Sequence, residues 1–188
     1  MGNRRLSRKR LYQVEKLGKN VKGDIGTGAG FADAIKSATQ HRQGSEIITE
    51  IAIDLDGGTM NEGGGARKVV GVNGTASEIA ELTVANFGHI TEVRAVVVED
   101  IASNGSIDDL DLEYAAASAV GGATMSTAVI LTALTDTGVD KSTAYDANDL
   151  AGKFLFLVDG EGGGNTAKIF SAGKILIYIH GFVAPDDI

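Results

Sequence analysis

An alternation of apolar and polar side chains gives the clearest structural signal in the chain, at Glu46-Ile47-Ile48-Thr49-Glu50-Ile51-Ala52-Ile53-Asp54-Leu55. The charges fall on one set of alternate positions, and the other set is almost wholly apolar. Because successive side chains of a strand point to opposite faces, the pattern predicts a strand with one buried side. The positions expected to face the core are Ile47, Thr49, Ile51, Ile53 and Leu55.

The same period recurs along the chain, and turn signals such as Asp56-Gly57, Asn73-Gly74 and Asp159-Gly160 separate the runs. Many short strands with regular turns predict a mainly β fold, either a jelly-roll-like sandwich or a barrel. One helical segment is expected in the body, over residues 31–40, where Phe31, Ala34, Ile35 and Ala38 share a face. Further strands are predicted at about 67–73, 79–87, 90–100, 109–117, 128–135, 153–159, 167–171 and 174–183.

The composition is that of one globular domain, with 188 residues, of which 43% are hydrophobic and 22% charged. The absence of cysteine excludes a disulfide framework, a thiolate nucleophile and a sulfur-bound zinc site. No run approaches the roughly 20 apolar residues of a membrane span, and charges stand where a signal peptide would be apolar. We therefore expect no membrane partner and synthesis in a cytoplasm.

Charge is divided sharply between the N-terminus and the rest of the chain. Residues 1–22 carry eight lysines and arginines against Glu15, a net charge of +7; the whole chain is −8, so residues 23–188 carry −15. Residues 23–30 are rich in glycine and are interpreted as a flexible linker. The predicted organisation is a basic arm with its linker, 1–30, and a single β domain, 31–188.

The arm is the strongest candidate for a binding site, with either an extended or a short helical conformation. Five cations in the seven residues 4–10 repel one another unless an anionic partner neutralises them. Nucleic acid or the acidic surface of a protein would serve. An apolar side recurs at three-residue steps, and Tyr12 has a ring that could stack on a base. The predicted partner-binding residues are Arg4, Arg5, Arg8, Lys9, Arg10, Leu11, Tyr12, Val14 and Leu17.

Signs of catalysis are weak. His41, His89 and His180 are isolated in sequence, and no serine stands in a G-x-S-x-G turn. The glycines of residues 26–30 have neither the spacing nor the preceding strand of a dinucleotide loop. We therefore expect a protein that is not an enzyme.

Two glycine-rich loops, 56–68 and 159–168, resemble each other, since each follows an Asp-Gly pair. Their carboxylates, Asp56, Glu62, Asp159 and Glu161, lack the alternating spacing of a calcium loop, so we predict no metal and no cofactor. The loops are interpreted as hairpin tips, and contact with a neighbouring subunit or an ion is left open. Another acidic set is interpreted as the solvated side of a strand: Asp108, Asp109, Asp111 and Glu113.

In style, the whole chain resembles the capsid decoration, or cement, proteins of tailed bacteriophages. The likeness lies in the missing cysteine, the abundant glycine and alanine, the arm, and the apolar closing run Gly173-Lys174-Ile175-Leu176-Ile177-Tyr178-Ile179-His180-Gly181. The resemblance implies a jelly-roll or related β-fold, a homo-oligomer that is often a trimer, and the major capsid protein as partner. It implies a place in the virion, where such proteins reinforce the outer surface of the shell.

Two alternatives keep the fold and change the partner. The chain could be the coat protein of a small icosahedral virus, with its arm turned inward to bind the packaged genome. The acidic body would then face the same nucleic acid at some cost, which favours a protein surface as the partner of the arm. A tail or fibre component is the other alternative. Sugar binding is disfavoured, because the chain has no tryptophan and only 5% aromatic residues.

Overall fold

The computed structural model describes residues 18–56, 61–62, 67–103, 110–125, 129–146, 149–160 and 168–183. Over these residues the protein is mainly β, with two antiparallel sheets that do not close into a barrel. The strands are β1 (Lys19–Asn20), β2 (Ile35–Gln43), β3 (Glu46–Asp54), β4 (Asn61–Glu62), β5 (Ala80–Leu82), β6 (His89–Ser103), β7 (Leu110–Ala115), β8 (Val129–Leu131), β9 (Asp140–Ala144), β10 (Lys153–Asp159) and β11 (Lys168–Phe182). One short helix, α1, spans Val84–Phe87.

The larger sheet has seven strands, in the order β1-β2-β3-β11-β6-β9, with β4 paired to one end of β11. The long strand β11 lies between β3 and β6, and all these pairs are antiparallel. The alternation predicted for residues 46–55 is confirmed. Its five predicted inward residues are all buried, and the opposite side of β3 is only half-buried.

The smaller sheet has four strands, in the order β5-β10-β7-β8. Leu155 and Leu157 of β10 face the larger sheet and join the main core, together with Leu110 and Leu112 of β7. The other side of β10 packs into a second, smaller apolar cluster, which contains Phe156 and Val158. Strand β10 is therefore buried on both sides, as its nearly continuous apolar sequence requires.

Both lateral openings of the sandwich are bridged by hydrogen bonds. On one side, Thr143 Oγ1 of β9 donates to the carbonyl of Ile130 in β8 at 2.8 Å. On the other, the backbone of residues 25–30 follows residues 76–81, and each of the two segments donates to the other. These hydrogen bonds connect the two sheets at the sides of the sandwich, where no strand is shared between them.

The glycine-rich segment 23–30 differs from the flexible linker predicted for it. Ile25 is buried in the main core, and Gly28 and Gly30 donate to the carbonyls of Glu78 and Ala76. A Cβ on Gly28 would lie 2.4 Å from the carbonyl oxygen of Ala76. Here glycine permits close approach of two backbones, so this segment packs as part of the β domain.

The helix predicted over residues 31–40 is wrong, because the structure has a turn at 31–34 followed by β2. A register shift between Ile35 and Ser37 marks a β-bulge. The extra residue in the bulge places Ile35 and Ala38, three positions apart, on the same buried side. Their spacing therefore imitates a helical period within a strand.

Four other differences are local. Residues 67–73, predicted as a strand, form only isolated β-bridges, to Thr124, Val158 and Gly121. The strand predicted at 79–87 is only β5, because Thr83 caps α1 by accepting a hydrogen bond from the Asn86 amide at 3.2 Å. The strands predicted at 167–171 and 174–183 are one strand, β11, with irregular register around Gly173. Strand β9 was not predicted, because its five residues, Asp140–Ala144, have no apolar alternation.

Candidate docking surface

The side of the seven-stranded sheet that faces away from the core is here called the open face. It is built from the outward positions of β2, β3, β11, β6 and β9, all of them exposed or half-buried. No described element packs over it. One cross-strand row of this face is Thr39-Glu50-Tyr178-Arg94-Ser142, as the register of the four strand pairs requires.

The centre of the open face is apolar. Ala52, Leu176 and Val96 are cross-strand neighbours on β3, β11 and β6. Val98, two residues beyond Val96, is 44% exposed. Adjacent side chains on one side of a sheet form a continuous surface, so these residues make an uncovered apolar strip about three strands wide.

Charged groups surround this strip. Arg94 makes a bidentate ion pair with Asp140, with Nε 2.7 Å from Oδ1, and Lys174 pairs with Glu99. The hydrogen bond to Asp140 raises the pKa of Arg94, and the reciprocal bond lowers the pKa of Asp140. Three other carboxylates of this face have no ion pair within the described residues: Glu50, Asp54 and Glu92. The open face is therefore net negative.

Two of the three histidines lie on this face, two strands apart. His41 of β2 and His180 of β11 flank Ile48 in one cross-strand row, which continues to Glu92 of β6. Nδ1 of His180 lies 3.9 Å from Oε1 of Glu46. His89 lies elsewhere, with its ring centroid 5.4 Å from that of Phe182. The separation of His41 and His180 in the sequence concealed their proximity.

The outer side of the four-stranded sheet is the opposite case, because it is covered. Residues 119–125 hydrogen-bond to residues 67–70 and pack on Phe156 and Val158. Asp111 and Glu113, expected on a solvated side, are buried, so that interpretation is wrong for these two residues, and Asp108 and Asp109 lie outside the described residues. The outward side of β7 is the correct assignment for them, but residues 119–125, which soon follow β7 in the chain, cover this side of the sheet, and Arg67 contacts Glu113.

Glu113 is the most unusual ionisable group of the described residues. Its side chain is 0% exposed, and Nη2 of Arg67 lies 2.7 Å from its Oε1. The Arg67 side chain is 25% exposed, so it separates the carboxylate from solvent. Burial raises the pKa of Glu113 to about 6; Arg67 opposes this shift and Asp111 adds to it. Oδ1 of Asp111 in turn accepts from the amide of Ala133 at 3.0 Å.

The ends of the two glycine-rich loops are joined. The Asp159 amide donates to the Lys68 carbonyl, and the Arg67 amide donates to the Asp159 carbonyl. Asp56 is exposed and the Asp159 side chain is buried, and the other candidate ligands, Glu62 and Glu161, have no described side chains. Where the structure describes side chains, no three acidic or histidine groups are arranged to hold a metal ion.

Two shallow clefts lie at the end of the sandwich near α1, with volumes of about 340 and 360 Å³. Gln40 and Ala85 line both of them. Gln40 donates to the Asn86 carbonyl, which ties β2 to α1. The ionisable side chains of the first cleft, Lys19 and Asp24, are exposed and form an ion pair at 3.6 Å, and that of the second cleft is Arg42.

The predicted partner-binding residues of the arm, between Arg4 and Leu17, lie outside the described residues, so their role stays a prediction. The described part of the arm, 18–22, belongs to the β domain, with Val21 buried in its core. In the part of the chain that the structure describes, no helix is long and apolar enough to cross a membrane. The chain matches no protein-family model, no curated protein and no solved structure.

Proposed function

We propose that this chain is a structural, non-enzymatic virion protein that binds the outer surface of a capsid through its N-terminal arm and stabilises the shell. The observation that carries the proposal is the contrast between the dense cations of residues 4–10 and the two-sheet β-sandwich that follows. A sandwich with a wide open face is suited to binding by surface contact.

The partner of the arm is the major capsid protein. Five cations in seven residues bind an acidic protein surface through exposed ion pairs, which salt screens over about 8 Å at physiological ionic strength. Leu11, Val14 and Leu17 add an apolar side that a groove on the partner takes up. The assembled form is a homo-oligomer, with a trimer favoured by the resemblance to decoration proteins.

The second candidate is a coat protein whose arm binds packaged nucleic acid. The same five cations favour it, because phosphate contacts supply most of the affinity of such arms. The net charge of −15 on residues 23–188 counts against it, since the body would lie near the same phosphates. A tail or fibre component would retain the sandwich and bind a different surface.

Co-sedimentation with shells tests the proposal. The full chain and the variant lacking residues 1–17 are each mixed with genome-filled shells and with nuclease-treated empty shells. We expect the full chain to bind both kinds equally, with binding that weakens as salt rises, and the truncated chain to bind neither. Binding that disappears with the genome would support the coat-protein function instead. Circular dichroism of the truncated chain checks that the β domain remains folded.

A further inference from the structure

The chain enters the β domain at the margin of the open face. Gly18, the first described residue, lies against two outward side chains of β2: a Cβ on it would be 2.2 Å from Cγ2 of Thr39 and 2.6 Å from Cε1 of His41. Thr39 begins the row that continues to Glu50, and His41 begins the row that reaches Glu92. Residues 1–17 therefore join the molecule at the edge of this face, one strand from Glu50 and three strands from Glu92.

The chemistry of those residues complements the open face. Residues 1–17 contain six lysines and arginines against Glu15, and the face has three carboxylates with no ion pair among the described residues. The same residues contain Leu11, Val14 and Leu17, and the centre of the face is the uncovered strip formed by Ala52, Leu176 and Val96. Residues 1–17 and the open face therefore complement each other both in charge and in apolar surface.

The distances permit this contact within one molecule. Glu50 is one strand from Thr39, and Glu92 is three strands from His41, which corresponds to roughly 5 and 14 Å at the usual strand spacing. Seventeen residues span up to roughly 55 Å when extended. A segment attached beside its site also has an effective concentration of the order of millimolar, which favours it over the segment of a second copy.

We propose that residues 4–17 bind the open face of their own β domain in the free protein. The bound segment covers the apolar strip and neutralises Glu50, Asp54 and Glu92. A shell that binds the arm would compete with this contact and expose the face on docking. The inference concerns the isolated protein and does not depend on the capsid function, so either can fail alone.

A spin label on the arm tests the proposal. The chain has no cysteine, so Ser7→Cys provides a single attachment site in the full-length protein. At low salt, paramagnetic broadening is expected at the amides of β3, β11 and β6 on the open face, and not at those of β7 and β10. Half a molar salt should reduce it. Broadening that is absent or equal on both sheets would overturn the proposal.

Two further samples exclude other causes. In a mixture of spin-labelled unenriched chain and unlabelled ¹⁵N chain, the broadening should disappear; if it persists, the arm binds a second copy and the proposal is wrong. The double variant Glu50→Gln, Glu92→Gln should lower the ratio of bound to free arm roughly threefold to tenfold, as expected for two exposed pairs. The matched control is Glu81→Gln, Asp149→Asn beside the four-stranded sheet, and an equal loss there would contradict the assignment of the face.

Discussion

The two outer sides of this sandwich have similar sequence patterns and opposite environments. On β3, Glu50 and Asp54 alternate with core residues and remain half exposed on the open face. On β7, Asp111 and Glu113 also alternate with core residues, but both are buried. Alternation fixes which side of a sheet a residue occupies, and coverage by another segment decides whether that side meets water.

The largest expected contrast concerns one aromatic residue on each outer side. Phe156→Ala on β10 removes a wholly buried ring and should lower the free energy of unfolding by about 3–5 kcal/mol. In half a molar salt, which should release residues 4–17 from the open face, Tyr178→Ala should cost about 1 kcal/mol, because its neighbours there are then solvated. Urea denaturation measures both. If both variants lost the same free energy of unfolding, either the open face would be covered or the outer side of the four-stranded sheet would be exposed.

The second contrast concerns arginine. Arg67→Met leaves Glu113 buried without its cation and should cost about 3 kcal/mol at pH 8. Arg94→Met, which breaks the exposed pair with Asp140, should cost less than about 1 kcal/mol. The difference between these two losses of stability should be smaller at pH 5, where Glu113 is protonated. A loss that is the same at both pH values would mean that Arg67 contributes through packing alone.

The pH dependence of stability isolates Glu113 itself. Its pKa is raised from 4.5 to about 6, so the folded state holds this proton more tightly than the unfolded chain does. Its contribution to stability is therefore largest below pH 4.5 and falls as the pH rises through about 6, by about 2 kcal/mol in all.

Glu113→Gln should abolish that fall, so that its free energy of unfolding relative to the wild type rises between pH 4.5 and pH 8. Glu50→Gln on the open face is the matched control, measured in half a molar salt so that residues 4–17 are released, and should change the free energy of unfolding by less than about 1 kcal/mol. Thermal or urea unfolding at closely spaced pH values measures both variants. Parallel curves for Glu113→Gln and the wild type would contradict the buried carboxylate.

The smallest contrast is at the side opening of the sandwich, where glycines join the two sheets. Gly28→Ala should lower the free energy of unfolding by about 1–2 kcal/mol, since its Cβ would meet the Ala76 carbonyl. Gly23→Ala, with no atom within 4 Å of its Cβ, should be neutral or slightly stabilising. If neither substitution changed the free energy of unfolding, the result would support the flexible linker predicted from the sequence.

The local sequence pattern was sufficient to predict a strand where each residue pairs with one residue of a neighbouring strand in a regular register. The mainly β fold, the buried side of β3 and strands near β6 and β7 follow from alternation, and β10 follows from a short apolar run. It failed at Ile35 and Ala38, where a bulge shifts the period, and at β9, an edge strand with no apolar side. The barrel alternative is wrong because the sheets remain separate.

The candidate site was less accessible to prediction, because it depends on contacts between distant segments. The burial of Glu113 results from residues 119–125 and from Arg67, which no period in β7 reveals. The open face combines rows from five strands, and its two histidines lie far apart in the sequence. Only the arm was evident from composition, and its partner stays a prediction.

The position of β11 sets the order in which the chain is able to fold during synthesis. Strands β3 and β6 pair with β11, at residues 168–182, and not with each other. While a ribosome is still translating the middle of the chain, the hairpin of β2 and β3 and the strand β6 present unpaired edges. Such edges attract other nascent chains, and pairing over long sequence separations is slow. We expect aggregation during expression to depend on translation rate and on chaperones that shield β3 and β6 until residue 182 has emerged.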